Sequence, residues 1–152
     1  MSTERLAWLT KPRLVHGLSA LIRIALGAVF LWSSLPKLRQ PYDFLGSVYQ
    51  YEMVGPKLGV FVATVLPWLE ALLGVCLLGS VFVRGSLLLA AGLLAFFTFA
   101  QASVLWRGLA ISCGCFGSSG ELISYATVLR TALLFVAALV AFTLPLLLSR
   151  RS

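Results

Sequence analysis

Two of the three cysteines, Cys113 and Cys115, flank a single glycine in the run Cys113-Gly114-Cys115-Phe116-Gly117. Thiols so closely spaced suit either thiol–disulfide chemistry or the binding of a soft metal. A disulfide across one intervening residue closes a very small ring, which the usual Cα separation and S–S dihedral fit poorly. Strain of that kind makes a disulfide easy to reduce, and so an oxidant of other thiols. Gly114 and Gly117 relax the backbone, because glycine adopts dihedrals that other residues avoid. The run leads into an apolar stretch expected to be helical, and a helix N-terminus favours thiolate, as does the nearby Arg107. One chain supplies too few soft ligands for a closed zinc site, which usually takes four, so no metal is expected unless a partner completes the set. Two unengaged thiols in a Gly-rich turn remain the plainer alternative. Cys76, among Leu72, Leu73, Leu77 and Leu78, reads as a small buried hydrophobe.

Ionisable residues inside apolar stretches form the second group, since such residues are costly in lipid and are usually paired. Arg23 and Glu70 are expected to pair, an arginine side chain spanning the difference in their depths. Counted from the helix ends, that pair lies far from the cysteines and serves as structural glue. Arg130 lies closer to them. With Lys37, Trp106, Arg107 and Phe116 it could bound an amphipathic pocket whose apolar walls and few donors suit a quinone head group. Taken singly, each of these residues is equally well explained as a snorkelling cation or a belt aromatic.

The elements that position these groups follow from composition. The chain has 152 residues, 60% hydrophobic and only 11% charged, which excludes an ordinary soluble domain. Four apolar stretches, about 18–36, 58–83, 87–109 and 123–148, are each long enough to cross a bilayer as helices. Strict polar–apolar alternation is missing, which argues against a barrel, and helices satisfy their own backbone in lipid. The expected architecture is a single all-α integral membrane domain over residues 1–152, a bundle of four transmembrane helices with a redox loop at 112–120. The first stretch is too long for a typical signal-peptide core and is expected to be retained. Residues 1–17, with Arg5, Lys11, Arg13 and His16 among apolar side chains, resemble an interfacial segment.

Net charge is +7, but its cations cluster at the ends of the apolar stretches, which favours membrane anchoring over nucleic acid. Six Lys/Arg fall on the side of both termini and Arg84, against four or five on the other. The excess predicts cytoplasmic termini in the cell (inner) membrane, with the cysteine run facing outward, where disulfides persist. Between the first two spans, Asp43 could N-cap a short helix carrying Phe44, Val48 and Tyr51 on one side. That helix is either an interfacial element or a lid over a site shared with the cysteine loop. Ala91 with Ala95, and Ala137 with Ala141, offer small-residue spacings for close helix contact.

These residues resemble the MauE family of methylamine-utilisation membrane proteins, within the wider DoxX-like group, over nearly the whole chain. The resemblance rests on Arg23-Ile24-Ala25-Leu26-Gly27, Pro36-Lys37-Leu38, Phe44, Tyr51, Leu66-Pro67-Trp68-Leu69-Glu70 with Gly74, Arg107-Gly108, the Cys113–Gly117 run and Arg130. It implies membrane thiol–disulfide exchange through Cys113 and Cys115 in the maturation of disulfide-rich periplasmic proteins, including the small subunit of methylamine dehydrogenase. It further implies a thioredoxin-like or disulfide-rich partner and, from DoxX-like relatives, coupling to a quinone. Unlike DsbB-type oxidases, the chain has no second cysteine pair in its other outer loop, so electrons would pass directly to an acceptor or through a partner. A non-catalytic subunit anchoring a maturation complex, and a soft-metal carrier, are the competing functions.

Overall fold

The computed structural model describes residues 12–109, 111 and 122–149. Helix α1 spans Pro12–Arg39, α2 Pro41–Gln50, α3 Pro56–Gly79, α4 Val83–Trp106 and α5 Tyr125–Ser149. Four of these, α1, α3, α4 and α5, are long and apolar enough to cross a membrane. The short α2 links the first two.

Local chemistry sets the boundaries. Pro41 and Pro56 each open a helix at its first turn, where a missing N–H leaves no bond unmade. Asp43 therefore lies inside the first turn of α2 rather than capping it; the cap position is Gln40, which makes no side-chain capping bond. The second span stops at Gly79, although apolar residues continue to Val83. The N–H of Val81 reaches back to the carbonyl of Cys76, and Ser80 takes a left-handed conformation with φ 61°. Phe82, with φ 47°, completes the reversal into α4. At the other end of α4, Gly108 (φ 67°) ends the helix in the same way. Its N–H donates to Leu105, and that of Leu109 donates to Val104.

The bundle packs α1 chiefly against α3 and α5, and α4 chiefly against α5, with a looser α3–α4 seam. Leu26 and Phe30 of α1, Leu77 of α3, Leu87 and Leu94 of α4, and Ala138 and Ala141 of α5 form the main apolar core. It occupies the half of the bundle that contains the 80–82 turn, here called the turn end. Ala91 and Ala141 are buried there, as their spacing predicts, but Ala138 rather than Ala137 is the fully enclosed partner. A close approach of α1 and α3 lies between Gly27 and Gly74: a Cβ on Gly74 would sit 2.9 Å from the Gly27 carbonyl oxygen. Trp32, Trp68, Leu72 and Phe99 point outward, as lipid-facing positions do.

Candidate functional site

At the opposite, loop end of the bundle a layer of polar side chains is buried between helices: Ser34, Lys37, Glu70, Gln101 and Thr127. Lys37 and Glu70 are its centre. Nζ of Lys37 donates to both carboxylate oxygens of Glu70, at 2.6 and 2.7 Å, and to Oγ of Ser33 at 3.2 Å. Ser33 also hydrogen-bonds Glu70. All three ammonium protons are thus placed. The same nitrogen lies 5.2 Å from the ring centre of Phe44 and 5.1 Å from that of Phe97, a cation held between two aromatic faces. Burying charges is tolerable only with this degree of satisfaction.

Helix geometry explains why these two residues meet. Helices α1 and α3 run antiparallel, and each Cα–Cβ bond tilts toward its own helix N-terminus. Lys37, near the end of α1, therefore leans toward the middle of the bundle, while Glu70 leans from the middle toward the loop end. The expected Arg23–Glu70 pair is replaced by this one. Gly27 stands opposite Gly74, which sets the stagger and puts Arg23 level with about residue 78. Eight residues of helix then separate Arg23 from Glu70, about 12 Å, and the arginine tilts the wrong way. Arg23 remains part-buried in the turn half of α1.

Two small cavities flank the pair. The first, about 70 Å³, is lined by Lys37 of α1, Phe44 and Val48 of α2, Tyr51 and Met53 of the following linker, and Phe96 and Phe97 of α4. The second, about 50 Å³, is lined by Glu70, Gln101, Thr127, Arg130 and Thr131, with apolar neighbours. Phe97 borders both. The ion pair is therefore a partition, with its cation on an aromatic chamber and its anion on a second chamber of mixed lining. In the second chamber Oγ1 of Thr131 lies 2.7 Å from Oε1 of Gln101 and 2.7 Å from the carbonyl of Thr127. Its single proton serves one of them at a time.

The pocket expected from Lys37, Trp106, Arg107, Phe116 and Arg130 does not assemble as one wall. Lys37 and Arg130 line different cavities. Trp106 is 94% exposed and turned away from both. Arg107 donates to the carbonyl of Tyr51 at 3.0 Å and to Glu52 at 2.8 Å, tying the linker to the end of α4. Cys113, Cys115 and Phe116 lie outside the described residues, and Cys76 is a half-buried free thiol. Phe44 and Val48 share one side of α2, facing the aromatic chamber, while Tyr51 lies just past the end of the helix and reaches the same chamber from the linker. Phe97, Ser33, Gln101 and Thr131 were not singled out from sequence. Polar residues within apolar spans were the available signal for the last three; for Phe97 there was none.

Ahead of α5 the N–H of Ile123 donates to the carbonyl of Ile111 at 3.0 Å, next to a cluster of Val104, Ile123, Tyr51, Leu109 and Val128. Among the described residues no group of three or more metal-ligating side chains gathers.

A family model described as "Methylamine utilisation protein MauE" matches residues 15–144 of this chain. A curated relative, the methylamine utilization protein MauE of Paracoccus denitrificans, is 34% identical over 124 residues, covering 80% of this chain and 67% of the relative. No solved structure matches the chain.

Proposed function

Since the chain belongs to the MauE family of multi-pass membrane proteins, we propose that it is a thiol–disulfide oxidoreductase serving methylamine utilisation, with Cys113 and Cys115 as its exchanging pair. A client thiolate attacks one sulfur of the oxidised pair, giving a mixed disulfide and releasing the other sulfur as thiolate. A second client thiolate then resolves the mixed disulfide. The client leaves with a new disulfide, and the pair is left as two thiols, having taken two electrons. The client is an extracytoplasmic protein, thioredoxin-like or rich in disulfides, and the pair faces it from the outer side of the membrane with both termini inside. A quinone that accepts two electrons and two protons as quinol restores the disulfide.

The observation that carries this reading is the family match over residues 15–144, a span that includes the Cys113-Gly114-Cys115 run between α4 and α5.

The test is differential alkylation in membranes, in a Cys76→Ala background so that only the pair is read. The expected result is a pair found largely as disulfide, reduced by client dithiol, reoxidised on adding quinone, and reached by an impermeant reagent from outside. A pair that stays reduced with and without quinone overturns the oxidase. Labelling from the cytoplasmic side alone overturns the orientation. Full client oxidation by the Cys113→Ser, Cys115→Ser double variant would mark a non-catalytic anchoring subunit instead.

A further inference from the structure

We infer that the aromatic chamber beside Lys37 is the seat of a neutral quinone ring, with Lys37 Nζ donating to one ring carbonyl oxygen. The inference rests on the oxidoreductase reading above and locates its acceptor, keeping Lys37 from the pocket read in the sequence but without Trp106, Arg107 or Arg130.

Four observations lead there. The chamber lies between α3 and α4, a loosely packed pair, with α2 and the 51–54 linker also lining it. Its lining is largely aromatic, with Phe44, Tyr51, Phe96 and Phe97 beside Val48 and Leu66. An aromatic ring packs well among others, in offset or tilted geometry. Its polar group is a built one: the Lys37 side chain is 2% exposed and held by fixed partners. Of its three hydrogen bonds, the longest goes to Ser33 at 3.2 Å. A carbonyl oxygen can take over that proton while both bonds to Glu70 remain.

The charge arithmetic selects the ligand class. Lys37 and Glu70 together are neutral, so an anion entering the chamber gains no unpaired cation and would face the nearby carboxylate. A neutral carbonyl acceptor needs only the donor. An apolar site with a single placed donor is the pattern of a head-group pocket. Tyr51 lines this chamber and also packs against the neighbouring cluster of Val104 and Ile123.

The test uses the full chain in lipid nanodiscs and a short-tailed azidobenzoquinone as photolabel, with labelled peptides mapped by mass spectrometry. Label is expected on 44–54 and on the α4 peptide holding Phe96 and Phe97, and it should be competed by the unlabelled short-tailed quinone. Val48→Trp fills the chamber without touching the ion pair and should lower labelling at least tenfold. Met53→Trp, from the linker, should do the same if Val48→Trp melts early. Trp106→Ala should label as the unmodified chain does. Label confined to other peptides, or undiminished in both filling variants, overturns the assignment. Labelling is also read in the Cys113→Ser, Cys115→Ser variant, where it should persist. Lost labelling with exchange-active cysteines sinks the chamber alone; specific labelling with inert cysteines sinks the oxidoreductase reading alone.

Discussion

Lys37 of α1 and Glu70 of α3 form a two-pronged ion pair, 2.6 and 2.7 Å, with side chains only 2% and 1% exposed. Removing one partner leaves the other charged and enclosed. Lys37→Met or Glu70→Leu alone should destabilise the bundle by about 3–5 kcal/mol, whereas the double variant should regain most of the loss. Thermal unfolding in one detergent, read as a double-mutant cycle, checks this. Losses that simply add in the double variant would show that the pair is not the unit.

The Gly27–Gly74 contact gives a second expectation. A methyl on Gly74 would stand 2.6 Å from Cγ of Leu31 and 2.9 Å from the Gly27 carbonyl oxygen, so α1 and α3 must part. Gly74→Ala should destabilise by about 1–3 kcal/mol. Gly92→Ala meets nothing within 4 Å and should instead stabilise, by about 0.5–1 kcal/mol. Melting temperatures of the two variants should move in opposite directions.

Ser80 ends α3 in a left-handed conformation that penalises a side chain. Ser80→Gly should raise stability by about 1 kcal/mol with no change in quinone labelling. A lowered melting temperature would mean that the serine side chain has a role of its own.

The Arg107–Glu52 pair is exposed and should behave unlike the buried one. Glu52→Gln should change stability by no more than about 1 kcal/mol, and added salt should erase the difference. Unfolding at low and high salt distinguishes it from Lys37 and Glu70, whose enclosed pair should be nearly salt-insensitive.

Hydropathy and length were enough to identify four spanning helices, because lipid leaves a backbone of this composition no other arrangement. The stretch Val81–Val83 was misread because apolarity does not report a left-handed residue. Pairing was not readable at all. Glu70 announced that it needed a cation, but Arg23 and Lys37 were both on offer, and the choice turned on the stagger of α1 against α3. That stagger is fixed by Gly27 meeting Gly74, a contact between residues 47 apart in sequence. Likewise Phe97 joins the site only because α4 turns that face toward Lys37. Sequence by itself determined which groups needed partners, since burial energy belongs to each residue; tertiary structure decided which partners they found, since that depends on distance.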